Sequence, residues 1–143
     1  MNGPATAPAT DHRGLDVLGF DDCLDRLRRT HLGRIAFVSA GEAVILPVNH
    51  ALDGDMVVFR TKPGSKMDVA VASGNVAYEI DGYDDSVQTG WSVLVKGTAE
   101  MVYEPTETAR YDALGLHSWV DPAATGQWVR IRPVEVTGRE IGF

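Results

Sequence analysis

Pro47-Val48-Asn49-His50-Ala51-Leu52-Asp53-Gly54-Asp55-Met56-Val57-Val58-Phe59-Arg60-Thr61-Lys62-Pro63-Gly64-Ser65-Lys66 reads as two strands followed by an anion pocket. Asp53-Gly54 is a hairpin turn signal, because a two-residue type I′ turn needs positive φ and glycine supplies it without a Cβ clash. Val44 to His50 is therefore expected to run antiparallel to Asp55 to Thr61. The second strand ends in Arg60 and Thr61, and Gly64, Ser65 and Lys66 follow at what reads as the first turn of a helix. Two cations, two hydroxyls and free backbone N–H groups in one place suit a phosphate monoester or another oxyanion. Pro47 cannot donate to a ladder, so its strand is expected at a sheet edge or an opening.

Working outward toward the N-terminus, Ala40-Gly41 is a turn and Arg34 to Ser39 a buried strand, with Gly33 expected to cap the preceding helix. That helix opens at Phe20-Asp21-Asp22, with an Asp as N-cap, Phe20 as a hydrophobic staple and Cys23, Leu24 and Leu27 inward. Residues 1–14, rich in Ala, Pro and Thr, are expected to be a disordered leader to one domain over 15–143.

Toward the C-terminus, a short helix from Ser65 to Ser73 ends at Gly74, Val76 to Ile80 is a strand, and Asp81 to Ser86 is a polar loop. Gln88 to Tyr103 alternates apolar and polar residues over a length at which a strand must bend, and Gly97 is where it can. Pro105 opens a helix to about Leu114, a loop containing His117 and Trp119 follows, and strand signals flank Pro133. Six or seven antiparallel strands with two or three short helices make an α+β, barrel-centred domain.

A chain of 143 residues is small for an enzyme that must wall off a cofactor alone, and a site shared between subunits would solve that difficulty. Its net charge of -7 argues against nucleic acid or an anionic membrane as partner, leaving a small ligand for the local cations. A single cysteine, Cys23, fits a reducing cytoplasm and excludes an intramolecular disulfide. No apolar run is long enough to span a bilayer and no secretion signal stands at the N-terminus. His12, His31, His50 and His117 lack zinc spacing, and Asp81 to Ser86 lacks the calcium-loop pattern, so no metal is expected. Gly64-Ser65-Lys66 is not a P-loop, since Phe stands at position 59 where that motif needs Gly. With no nucleophile motif either, the chemistry is expected from a cofactor.

Taken in order, Gly33 to Val38, Leu46 to His50 with Asp53-Gly54, Val58 to Thr61, Gly64 to Lys66, Gly90 to Ala99 and Arg130 to Pro133 resemble the pyridoxamine 5′-phosphate oxidase-like flavoproteins, over residues 20 to 140. The resemblance implies an FMN-binding split β-barrel that dimerises with its cofactor at the interface. By that likeness Pro47, Val48 and Asn49 line the flavin ring, and Arg60, Thr61, Ser65 and Lys66 hold the phosphate. Trp91 would come from near the dimer seam, from either subunit, and His50 would sit at the margin of the substrate pocket. The C-terminus, Val136 to Phe143, lacks the basic, histidine-bearing motif of true pyridoxamine phosphate oxidases. The likeness therefore points away from vitamin B6 oxidation and toward small reductases of the nitroimidazole-resistance and deazaflavin-using kind. The expected function is an FMN-dependent oxidoreductase acting on a small organic acceptor, with no side chain assigned as acid or base. Its alternatives are a deazaflavin-dependent reductase and a non-enzymatic flavin-binding module.

Overall fold

A computed structural model describes residue 10 and residues 15–62, 67–116 and 126–141. Eight strands and three helices follow one another as β1 (Asp16–Leu18), α1 (Phe20–Arg29), β2 (Leu32–Ser39), β3 (Glu42–Asn49), β4 (Ala51–Asp53), β5 (Met56–Thr61), α2 (Met67–Ser73), β6 (Asn75–Asp84), β7 (Thr89–Met101), α3 (Pro105–Asp112) and β8 (Gln127–Ile141). Every pairing is antiparallel, in the order β3-β2-β6-β7-β8-β5-β4, with β1 added against β8. The curled sheet is the expected α+β split barrel. Its inward side chains, among them Ile35, Phe37, Val57, Phe59, Tyr78, Ile80, Val93 and Ile131, form one core with Cys23, Leu24 and Leu27 of α1. A second, smaller core of Val58, Val102, Tyr111 and Trp128 lies under α3.

The deciding stretch pairs differently from its expectation. β3 runs against β2, from Leu32↔Asn49 to Ser39↔Glu42, through a turn at Ala40 and Gly41, both with positive φ. Only Ala51–Asp53 pairs with β5, across the Gly54-Asp55 turn. The chain thus leaves β2 at Asn49, turns a corner at His50 and joins the far end of the same sheet. β3 lies against β5 without pairing with it among the described residues, and that seam is the split in the barrel.

Other differences are local. α1 starts at Phe20 with Gly19 at its N-cap and no side-chain cap, and Phe20 is 51% exposed rather than a staple. Gly33 lies inside β2 and is buried. β6 extends through Asp84, so the expected loop begins later, because Asp81 to Asp84 find partners in Thr89 to Ser92. The two C-terminal strand signals form one strand, with Pro133 opposite Gly97 at a register shift in the β7–β8 ladder. A Cβ at Gly97 would stand 2.0 Å from the Arg132 carbonyl oxygen, so only glycine admits this crossing of backbones. The expected leader lies outside the described residues except Thr10, which bridges Asp16.

Candidate functional site

The corner at His50 is a buried polar latch. The His50 ring is fully buried; Nε2 donates to the Leu27 carbonyl at 2.9 Å and Nδ1 accepts from the Tyr78 hydroxyl at 2.6 Å. Because the Leu27 carbonyl can only accept, the neutral ring must carry its proton on Nε2. Burial holds the imidazole below its ordinary pKa, outweighing the bond to Leu27, and burial pushes the Tyr78 phenol far up. Tyr78 reaches this position over Gly33, where a Cβ would lie 2.3 Å from the hydroxyl oxygen. The His50 backbone N–H donates to the His31 carbonyl at 2.8 Å. His50 borders a cavity at this corner, but both ring nitrogens are committed to the fold.

The end of β5 is the opposite case. Strand alternation puts Arg60 and Thr61 on opposite faces. Thr61 is 8% exposed, whereas Arg60 extends over Trp128, its register partner on β8, with the guanidinium carbon 5.3 Å from the ring centroid. The Arg60 Nε is buried with no hydrogen-bond partner among the described residues. A Cβ at Gly126 would stand 2.9 Å from that nitrogen, so glycine there leaves the guanidinium its space. Ser65 and Lys66, the other expected phosphate ligands, lie outside the described residues, as do His117 and Trp119.

The expected ring-lining residues divide between faces. Pro47 is exposed on the terminal strand β3, Asn49 is half-buried on the same face, and Val48 packs against the main core. Trp91 is three strands away in the sheet order, half-buried, with the Arg26 guanidinium 4.8 Å over its ring. Its indole lies against Gly82, where a Cβ would meet Nε1 at 2.5 Å.

A charged brace fixes the β4–β5 hairpin to α3 and β8. Asp53 accepts two 3.0 Å hydrogen bonds from Arg110 and another from the Tyr111 hydroxyl. Those bonds, from Arg110 first, hold the Asp53 carboxyl below its usual range. Arg130 donates to Tyr111 and pairs with Glu100 at 2.8 Å and Glu107 at 3.0 Å. Burial works against the Arg130 charge, but these three acceptors outweigh it and raise its pKa. Trp128 Nε1 donates to Asp112 at 2.7 Å. α3 itself is capped by Glu104, which accepts from the Thr106 and Glu107 N–H groups.

Between this brace and the corner opens a cavity of about 550 Å³, bordered by Asn49, Ala51 and Leu52, by Leu114 to Leu116 after α3, and by Arg28 and His31 at the end of α1. Among the described residues no group of three or more His, Cys, Asp or Glu could hold a metal ion. No described helix is long and apolar enough to cross a membrane. Sequence reasoning missed Tyr78, Trp128, Arg28 and His31 as neighbours of these sites. The usable signal was Gly33, a glycine mid-strand that marks a close approach.

A family model described as pyridoxamine 5′-phosphate oxidase matches residues 20–140. The chain belongs to that family. The match runs from the first residue of α1 into β8, so it takes in the corner, the end of β5 and the brace alike. A relative in Mycobacterium tuberculosis, the uncharacterized protein Rv0080, is 38% identical, the alignment covering 97% of this chain and 93% of that one. Among solved family-like structures, the FAD binding protein from Mycobacterium smegmatis is 35% identical with a TM-score of 0.77, covering 89% of this chain and 98% of its own. An FAD-binding protein from Mesorhizobium loti, at 23% identity and a TM-score of 0.77 over 90% and 99% of the two chains, shares the fold.

Proposed function

We propose that this family member is a flavin-dependent oxidoreductase acting on a small organic molecule, with the nucleotide's phosphate held by Arg60 in company with Ser65 and Lys66, while the Thr61 side chain turns to the opposite, buried face and leaves that expected set. The observation that carries it is the buried Arg60 Nε above Trp128, without a hydrogen-bond partner among the described residues. An unsatisfied buried donor costs about 1–3 kcal/mol, a cost that an anionic oxygen at that place would offset. The donor set suits a phosphate, since arginine offers a planar fork of N–H groups and no acceptor. When bound, the flavin supplies hydride exchange at its ring. This chain's part is to grip the phosphate through Arg60, present the outer edge of β3 at Pro47 to Asn49, and keep the adjoining core dry. FMN needs only one phosphate grip. The FAD named for the M. smegmatis relative makes the dinucleotide a competitor, and the deazaflavin coenzyme is a third.

A second copy of the chain would complete the site. Val38, Ile45 and Val134 are 60%, 64% and 81% exposed and border one groove on the outer face of the sheet, an aliphatic surface suited to a homodimer seam. Trp91 borders none of this groove and packs against the main core, so it would contribute only near the end of that seam. A reducing cytoplasm suits the single, buried Cys23.

Purified protein tests the assignment through its absorption spectrum, the mass of any released cofactor, and titration of the apoprotein with FMN and FAD. A flavin spectrum or saturable uptake is expected; no uptake of either nucleotide would overturn it. The non-enzymatic flavin-binding module is favoured by one observation, that the His50 ring is spent on Leu27 and Tyr78 and is not available as an acid. Bound flavin that neither a nicotinamide cofactor reduces nor any acceptor reoxidises would decide for it.

A further inference from the structure

The corner cavity is distinct from the Arg60 position and has its own chemistry. Its volume of about 550 Å³ lies within the range of small-molecule sites. Leu52, Leu114 and Leu116 supply an apolar wall, and the polar groups that converge on it are Asn49, Arg28 and His31. Acidic residues outnumber basic ones 20 to 13 in the chain, yet none is among the described residues that border this cavity. The Asp53 carboxylate, next to Leu52 in the chain, is already committed to Arg110 and Tyr111. The Arg28 and His31 side chains make no ion pair or side-chain hydrogen bond among the described residues. Two carbonyls at the end of α1 are already taken, Arg26 by Thr30 and Leu27 by His50.

We propose that this cavity is the substrate subsite and that it takes an organic carboxylate with an apolar or aromatic body, the body against the leucines and the carboxylate at Arg28 and His31. It rests on the flavin assignment only for the word substrate, through Asn49, which would face both the ring and this cavity. An exposed guanidinium gives a carboxylate orientation and selectivity over a neutral analogue, while the leucine wall supplies most of the affinity.

The test uses benzoate and its neutral isostere benzamide, titrated into flavin-free and flavin-loaded protein and followed by amide NMR shifts. Benzoate is expected to shift Ala51, Leu52 and Leu116 and to bind about tenfold more tightly than benzamide, the factor for one charge-assisted hydrogen bond of about 1.4 kcal/mol. Arg28→Gln should remove most of that preference, Arg28→Gln/His31→Gln the rest, and benzamide binding should hold in both variants. Equal binding of the two probes, shifts outside the cavity, or an unchanged preference in the double variant would overturn the proposal. Flavin loading that itself shifts Leu52 and Leu116, with flavin affinity lost in Arg28→Gln, would give the cavity to the cofactor and also overturn it. Selective benzoate binding in a protein that takes up no flavin would leave the anion site standing while the oxidoreductase assignment falls.

Discussion

His50 and Arg60 are carried by one short run of chain, and the fold treats them in opposite ways. At the corner, a histidine that could titrate or catalyse is sealed in, each ring nitrogen matched to one partner, over a glycine that exists to let Tyr78 in. At the end of β5, an arginine is brought to an indole face and left with a buried donor unspent. Buried polar groups in a folded chain are nearly always satisfied, so the donor left unsatisfied among the described residues supports the proposed ligand and the satisfied histidine belongs to the architecture. Residue type alone suggests the reverse, since histidine is the usual suspect for proton chemistry.

Four experiments can break or sharpen this contrast. The largest effect is expected from His50→Ala, which leaves the Leu27 carbonyl without its partner, leaves the Tyr78 hydroxyl only the Val48 carbonyl at 3.5 Å, and opens a cavity. A loss of about 3–4 kcal/mol in denaturant unfolding is expected. A loss under about 1 kcal/mol would mean the corner is not a latch. Arg60→Ala should instead cost about 1.5–3 kcal/mol in flavin affinity, read by fluorescence titration, with unfolding stability nearly unchanged. If that variant lost stability and kept its affinity, Arg60 would join His50 on the architectural side.

The third is a pH effect of defined sign. The folded His50 pKa lies below its unfolded value of about 6.5, so above that pH neither state is charged and no penalty exists. As pH falls through about 6.5 the unfolded chain takes up a proton that the folded chain refuses. Stability then declines by at most about 1.4 kcal/mol per pH unit until the folded pKa is reached. His50→Gln should flatten that part of the stability curve relative to the unaltered protein, and parallel curves would contradict it. The smallest effect belongs to Arg34→Ala, which breaks exposed 3.0 Å pairs with Glu79 and Asp81. Exposed pairs are worth about 0–1 kcal/mol, so only a small shift in denaturation midpoint is expected.

Much of the fold was legible because alternation is a local property. The long strand through Trp91, Val93 and Val95 with its irregularity at Gly97, the β2–β3 turn at Ala40-Gly41 and the Pro105 helix start all depend on neighbours in sequence. Partner choice is not local. The Asp53-Gly54 signal marked a real hairpin but placed its turn one residue early, since Asp53 pairs with Met56 and the turn is Gly54-Asp55; that hairpin commits only three residues on its first side, and nothing in Asn49-His50-Ala51 announces that the chain changes partners there. Pro133 read as a strand break because its missing N–H is harmless only opposite the Gly97 irregularity, which lies on another strand. At the site, Arg60 was legible as a cation at a strand end. Its indole bed was not, because Trp128 reaches it only through the β5–β8 ladder.

β8 pairs with β1, β7 and β5, from Asp16↔Glu140 at one end of the chain to Val57↔Ile131 near its middle. The β2–β3 hairpin can form as soon as it leaves the ribosome, but β5 has no ladder partner beyond β4 until the last strand is made. Such sequence-distant pairing places folding toward the slow, millisecond-to-second end for small domains. The proposed anion grip at Arg60 could therefore assemble only after synthesis of the core is nearly finished, and on that proposal the nascent chain should be unable to capture cofactor before β8 docks.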